Sequence, residues 1–381
     1  MKSYLFLVLL SALLGAGCAK TQPSDRPQPT MMSKAHRDSL AASMEDQGDE
    51  HVHMPPLPTD YSSERYINIT GADLSPAALK GKVVLIDIWD YTCVNCIRTL
   101  PYIKAWAQKY KDKGLVIVGV HSPEFAFEKD PNNLGAAVKK FGLDYPIVAD
   151  NEFKIWNSLA NKYWPAKYLF DNKGILRTTH FGEGQYQEFE AFLQKILLER
   201  DSSLSLPDIS ELVRSTDKPG AVCYRPTPET YLGFERNHLA NTEEPTPNKP
   251  THFTIPEKLE EDRLYLEGDW IVAREHAAPV EGKTSSLVIR YQAKEVNLVI
   301  KPQKENNFSV LVTQDDKPIP KEDRGTDIAE RDGKTYLMVS EPRMYNIINN
   351  SKFGRFLLKL TAETPSFGAY AYTFTTDCRP E

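Results

Sequence analysis

One Cys-x-x-Cys pair, Cys93-Val-Asn-Cys96, stands alone in the sequence: there is no second such pair and no His-x(3–5)-His tract near it. A structural zinc site takes four ligands, so two are missing and zinc is set aside. A surplus of charge is missing too. With 46 basic and 52 acidic residues the net charge is −6, which leaves no electrostatic footprint for nucleic acid. No repeat of fixed period runs through the chain. The apolar stretch near the start, Tyr4 to Leu14, is too short to cross a membrane as a mature helix.

What remains is the balance of an ordinary globular protein, 41% hydrophobic and 26% charged, and 381 residues suggest two or three domains. The first residues differ. Met1-Lys2, the apolar stretch and Gly15-Ala16-Gly17-Cys18 form a secretory signal. A cysteine directly after small residues resembles a bacterial lipoprotein signal, although Gly15 stands where an aliphatic residue is usual. The expectation is a lipoprotein signal peptide over 1–18, with Cys18 lipidated and the chain exported and held at a membrane. Residues 19–60, rich in Pro, Ser, Asp, Gln and Met without apolar periodicity, read as a disordered tether.

From 61 to 200 the pattern is regular. A strand-like run, Val83 to Trp89, ends in a polar turn and delivers Cys93. Apolar residues then recur at helical spacing: Ile97, Leu100, Ile103, Trp106 and Tyr110. The pair thus sits at a helix N-terminus, where unpaired N–H groups and the helix dipole are expected to lower the thiol pKa of Cys93. Further strands are expected at Leu115–His121, Tyr145–Val148, Ala166–Phe170 and Ile175–His180, and helices over Leu134–Phe141, Glu152–Ala160 and Gln185–Leu198. That order describes an α/β thioredoxin fold with an insertion. Residues 201–222 read as a linker. Beyond Cys223 the period becomes two, with short strands between Gly, Pro, Asn and Asp turns. Residues 223–381 are therefore expected to form an all-β jelly-roll sandwich.

Dithiol exchange needs an accessible nucleophile and a resolving thiol, which assigns Cys93 and Cys96. Asp87 shares a strand face with Leu85 and Trp89, so it points into the core and suits a general base for Cys96. Trp164-Pro165, at the entry of the strand 166–170, either presents a cis peptide to an extended substrate or starts an edge strand. His121 and Glu124, at the end of a central strand, either flank the dithiol or are structural. Cys223 and Cys378 are left for a structural disulfide, which their separation neither requires nor excludes.

The run Asp87-x-Trp89…Cys93-Val-Asn-Cys96, with Trp164-Pro165 before a later strand, resembles the thioredoxin superfamily and its TlpA- and ResA-type members. Trp89-Asp-Tyr-Thr-Cys-Val-Asn-Cys-Ile-Arg-Thr-Leu-Pro-Tyr102, Gly119-Val-His-Ser-Pro-Glu-Phe125 and Thr227-Pro-Glu-Thr-Tyr-Leu-Gly233 are similar to the soluble region of DipZ proteins. This resemblance implies a thioredoxin-like domain and a sandwich resembling a carbohydrate-binding module. It makes Cys93 and Cys96 the redox pair, Asp87 the buried acid and Pro165 the cis-proline, with Trp89, Trp164 and Pro165 at the substrate and no cofactor beyond the dithiol.

DipZ proteins carry a membrane electron-transfer domain ahead of these parts. The expectation here is a separate donor of the CcdA or DsbD type, a monomeric chain, and exported disulfide proteins as substrates. Two other functions compete. A thiol peroxidase would need Pro-x(3)-Thr-x(2)-Cys, but Asp90 holds the threonine place and Ile86 the proline place before Cys93. A glycan-binding sandwich would need exposed rings among Tyr265, Trp270, Tyr291 and Tyr370.

Overall fold

The computed structural model describes residues 32–48, 52–57, 65–303, 307–362 and 367–379. Cys18 and the signal segment lie outside them. No helix among the described residues is long and apolar enough to cross a membrane.

The first unit contains α1 (Lys34–Ala42), β1 (Tyr66–Ile67), α2 (Pro76–Leu79), β2 (Val83–Trp89), α3 (Val94–Tyr110) and β3 (Leu115–His121). It continues with α4 (Pro131–Phe141), β4 (Ile147–Ala149), α5 (Lys154–Ser158), β5 (Ala166–Phe170), β6 (Leu176–Phe181) and α6 (Tyr186–Arg200). The sheet order is β1-β4-β3-β2-β5-β6. β2 runs parallel to β3 and antiparallel to β5. All seven residues of β2 are buried, as expected of a central strand covered on both faces. Its neighbours leave no room: a Cβ at Gly119 would lie 2.7 Å from Ile147 Cδ1 and 3.2 Å from Trp89 Nε1. α3 buries Leu100, Ile103 and Trp106, and Trp106 stacks on Phe189 of α6 at 5.3 Å. Each such side chain contributes about 1.5–3 kcal/mol by leaving water. This is the thioredoxin fold.

The segment 19–60, read as a disordered tether, is ordered where it is described. Ser33 caps α1 by accepting from the His36 amide, and Ala41 packs with Ala191 and Ile209. Asp46 then pairs with Arg177 at 2.7 Å and Lys195 at 2.9 Å. A low mean hydropathy hid one small apolar face sufficient to dock. Residues 201–222 are no free linker either. Lys109 Nζ donates to Asp208 O, Gln194 Nε2 to Pro207 O, and the Val213 amide to Tyr102 Oη, so the segment runs along α3 and α6.

The second unit is all β: β7 (Val222–Cys223), β8 (Thr230–Tyr231), β9 (Pro250–Phe253), β10 (Arg263–Val272), β11 (Ala277–Pro279) and β12 (Ser285–Pro302). Then come β13 (Phe308–Gln314), β14 (Ile328–Arg331), β15 (Lys334–Val339), β16 (Arg343–Ala362), β17 (Phe367–Thr375) and β18 (Cys378–Arg379). β12 pairs along its length with β16, while its first half also pairs with β10 and its second half with β17. Register shifts near Ala293–Glu295 bend β12 so that one strand serves both layers of a sandwich. The sequence pattern breaks β12 and β16 into two strands each at these irregular stretches. β7 and β18 pair, and Cys223 and Cys378 form a disulfide between them.

The two units share a core. Val299, Tyr370 and Ala371 of the sandwich pack with Tyr91, Phe125 and Phe127 of the loops around the dithiol.

Candidate active site

Cys93 is the N-cap of α3, in extended backbone, and its sulfur accepts from the Cys96 amide at 3.2 Å. Both thiols are free; Cys93 is half-buried and Cys96 fully buried one turn on. The expected lowering at Cys93 is not what the site produces. Burial pushes its thiol up, the contact with Cys96 opposes this, and the charge of Asp90 adds to the rise. The helix-end attraction is outweighed because Cys93 lies against a core margin rather than in water. Burial pushes the Cys96 thiol well above its ordinary value.

Asp87 faces the core with neither carboxylate oxygen hydrogen-bonded among the described residues. Burial raises it to about 6, held back by the charge of Lys167. Lys167 lies opposite Asp87 in the β2–β5 register and is itself fully buried, which pulls its ammonium down while Asp87 and Cys96 draw it up. Sequence reasoning missed Lys167. Its signal was a lysine at an alternate position in the apolar strand 166–170.

A second buried cluster was also missed. Thr92 Oγ1 lies 3.0 Å from Asp90 Oδ2 and 2.5 Å from Glu128 Oε1. A hydroxyl has one proton, so Thr92 cannot donate to both carboxyls at once. Burial and the Asp90 charge raise Glu128 well above the usual carboxylate range, while its contacts with Thr92 and the Phe125 amide oppose the rise. Glu128 Oε2 accepts from the Phe125 amide at 2.7 Å, and Asp90 Oδ1 takes His121 Nε2 at 2.9 Å. His121, packed between Trp89 and Tyr91, is thus fixed against the Cys93 loop.

Glu124 turns toward the sandwich. Its carboxylate meets Arg236 at 2.6 Å and accepts from Tyr231 Oη at 3.0 Å, while the Ala126 amide donates to Glu275 at 2.9 Å. The Arg236 guanidinium lies 3.7 Å from the Tyr231 ring centroid.

The Trp164-Pro165 peptide is cis. Trp164 is half-buried, donates Nε1–H to Ser122 O at 2.9 Å and packs on Trp156 at 4.3 Å, while Pro165 is buried. Trp89 is placed differently from its expectation as a substrate contact. It is wholly buried, because β2 is covered on both faces. Tyr265, Trp270, Tyr291 and Tyr370 are likewise core residues, so these four rings offer no glycan platform.

A dithiol at a helix N-terminus, a buried carboxyl on the strand leading into it and a cis-proline opening the neighbouring strand together define a thiol–disulfide oxidoreductase of thioredoxin type. Two family models match the chain: Redoxin over residues 61–192 and Thioredoxin like C-terminal domain over 227–375. The thiol-disulfide oxidoreductase ResA of Bacillus cereus is 30% identical over 129 residues, 34% of this chain and 72% of that protein. Protein DipZ of Mycobacterium tuberculosis is 35% identical over 241 residues, 63% of this chain. The match spans 34% of DipZ, about a third of its length. A thioredoxin-like protein solved in its oxidised form is 27% identical, covering 38% of this chain and 95% of that one at a TM-score of 0.34. The chain belongs to the redoxin family of thioredoxin-like thiol–disulfide oxidoreductases.

Proposed function

We propose that this chain reduces disulfides in exported proteins, outside the cytoplasm, through Cys93 and Cys96. The environment of Cys93 carries the direction. Strong oxidants hold their nucleophilic cysteine near about 3.5 and thioredoxin near about 7, and a stabilised thiolate favours the dithiol form. Here burial pushes the thiol the other way, which favours the disulfide form and makes the dithiol a donor. The Cys223–Cys378 disulfide supports an oxidising compartment.

The reaction begins when the Cys93 sulfur, having given up its proton, attacks one sulfur of the substrate disulfide. The first substrate thiol leaves with a proton. Asp87 takes the Cys96 proton, and the Cys96 sulfur attacks Cys93, forming the Cys93–Cys96 disulfide. The second substrate sulfur leaves and is protonated. Two hydrogens and two electrons pass from the dithiol to the substrate, with no other cofactor. A membrane donor of the CcdA or DsbD type would restore the dithiol, with Cys18 as the lipid anchor that keeps the chain, as a monomer, beside it.

The test is the reduction potential of the Cys93–Cys96 pair. A value near or below about −270 mV supports the reading, and one near about −120 mV makes the chain a disulfide donor instead. Cys96→Ser should accumulate mixed disulfides with exported proteins, and Cys93→Ser should form none. Deleting the membrane donor should leave the pair oxidised in cells.

A further inference from the structure

Beside Trp164 a cleft of about 230 Å³ opens between the two units. Pro123, Phe153 and Trp164 line one wall; Tyr231, Arg274 and Glu275 line the other. The wall from the sandwich is pinned, not loosely apposed, by Arg236 and Tyr231 on Glu124 and by Glu275 on the Ala126 amide. Glu124, which lines the cleft, acts by its charge on the Cys93 thiol, and Trp164 precedes the cis Pro165 that opens β5 beside the end of β2, so the cleft lies near the dithiol.

Two properties suggest what enters it. Its volume is below the roughly 300–1,000 Å³ of pockets that hold a whole small ligand, so it suits a single side chain. Three rings and a proline share its walls with five charged residues, four of which pair off: Arg236 with Glu124 at 2.6 Å and Arg274 with Glu235 at 2.8 Å. One wall also carries a backbone outlier. Phe153 has φ 56°, a left-handed conformation rare for a bulky residue, and it stands edge-on to Trp156, which packs on Trp164.

We propose that this cleft is a subsite for an apolar, preferentially aromatic, side chain of a polypeptide substrate, next to the cysteine under attack. The sandwich thereby forms half of the substrate site of the redox domain. This rests on the chain being a reductant of protein disulfides, and it names what kind of disulfide is chosen: one in an extended segment flanked by an aromatic residue. Rings stack offset or edge-on to Trp164 and Tyr231, which gives the aromatic preference.

The test uses the full chain and three probes: a twelve-residue peptide with one internal disulfide flanked by Phe, the same peptide with Gly there, and bis(2-hydroxyethyl) disulfide. Rates on the peptides are divided by the rate on the small disulfide. The wild type should favour the Phe peptide by about tenfold in kcat/KM, through KM. Phe153→Ala, which removes a wall, and Arg274→Trp, which fills the mouth, should each bring that ratio near one. Equal rates on the two peptides, or an unchanged preference in both variants, overturn the subsite. Failure to reduce all three probes instead overturns the reductant reading on which it rests.

Discussion

Asp87 and Lys167 face each other across the β2–β5 pair, both fully buried, and a thiolate at Cys96 would draw on the same ammonium. The buried carboxyl proposed as the base for the resolving thiol is therefore tuned by a cation one strand away.

Asp87→Asn should slow resolution of the mixed disulfide at pH 7 by about 100-fold, the usual order for loss of a general base. The wild-type rate should rise through pH 6, where Asp87 ionises, and Asn should abolish that step. In Lys167→Met the opposing charge is gone, so the step moves to higher pH. Rapid-quench measurement of substrate thiol release across pH 5–8 checks all three.

Burial and the nearby charge of Asp90 push Glu128, beside Thr92, well above the usual carboxylate range. Glu128→Gln offers a donor to the hydroxyl without charge and should alter stability by less than about 1 kcal/mol. Glu128→Ala leaves the Phe125 amide and the Thr92 hydroxyl each short of a partner and should cost about 2–4 kcal/mol. Urea unfolding at pH 7 separates them.

Arg236→Leu leaves Glu124 facing the interface without its cation. The arginine side chain is 40% exposed, so solvent screens much of the loss, and the cost should be about 1 kcal/mol. The more sensitive readout is limited proteolysis, since loosened docking should expose residues 201–222 to cleavage while the wild type resists.

Burial lowers His180 to about 4. Its value in the unfolded chain is about 6.5, so between these limits only the unfolded state binds the proton. Its contribution is intact above pH 6.5 and is lost as pH falls toward 4, by up to about 3 kcal/mol. In His180→Phe the fall in unfolding free energy from pH 7 to pH 4.5 should be shallower than in wild type. The buried carboxyls, which shift stability the other way, are common to both and cancel in the comparison.

β2 and α3 were legible because one is an apolar run broken only by Asp87 and bounded by polar residues, and the other repeats its apolar residues at helical spacing. Asp87 was legible because period two set it beside Leu85 and Trp89. Trp89 was misjudged as a substrate contact because proximity to Cys93 in sequence says nothing about which side of a doubly covered strand reaches solvent. Lys167 required the β2–β5 register, which pairs residues eighty positions apart. Glu128 lies in a short 3-10 turn, and only its meeting with Thr92, 36 residues earlier, gives it meaning. The sandwich was evident as a class from its alternation. Its docking through Glu124, Tyr231 and Arg236 was not, since three polar residues from two units carry no common pattern.

The docking of α1 on α6 moves the edge of the redox domain far upstream of its sheet. Ser33 caps α1, and Ala41 packs with Ala191 of α6 and with Ile209, well before β1 begins at Tyr66. A truncation that starts at β1 would strip this cover and leave Ala191 and Ile209 open to water, so the autonomous folding unit has to include the helix ahead of the sheet.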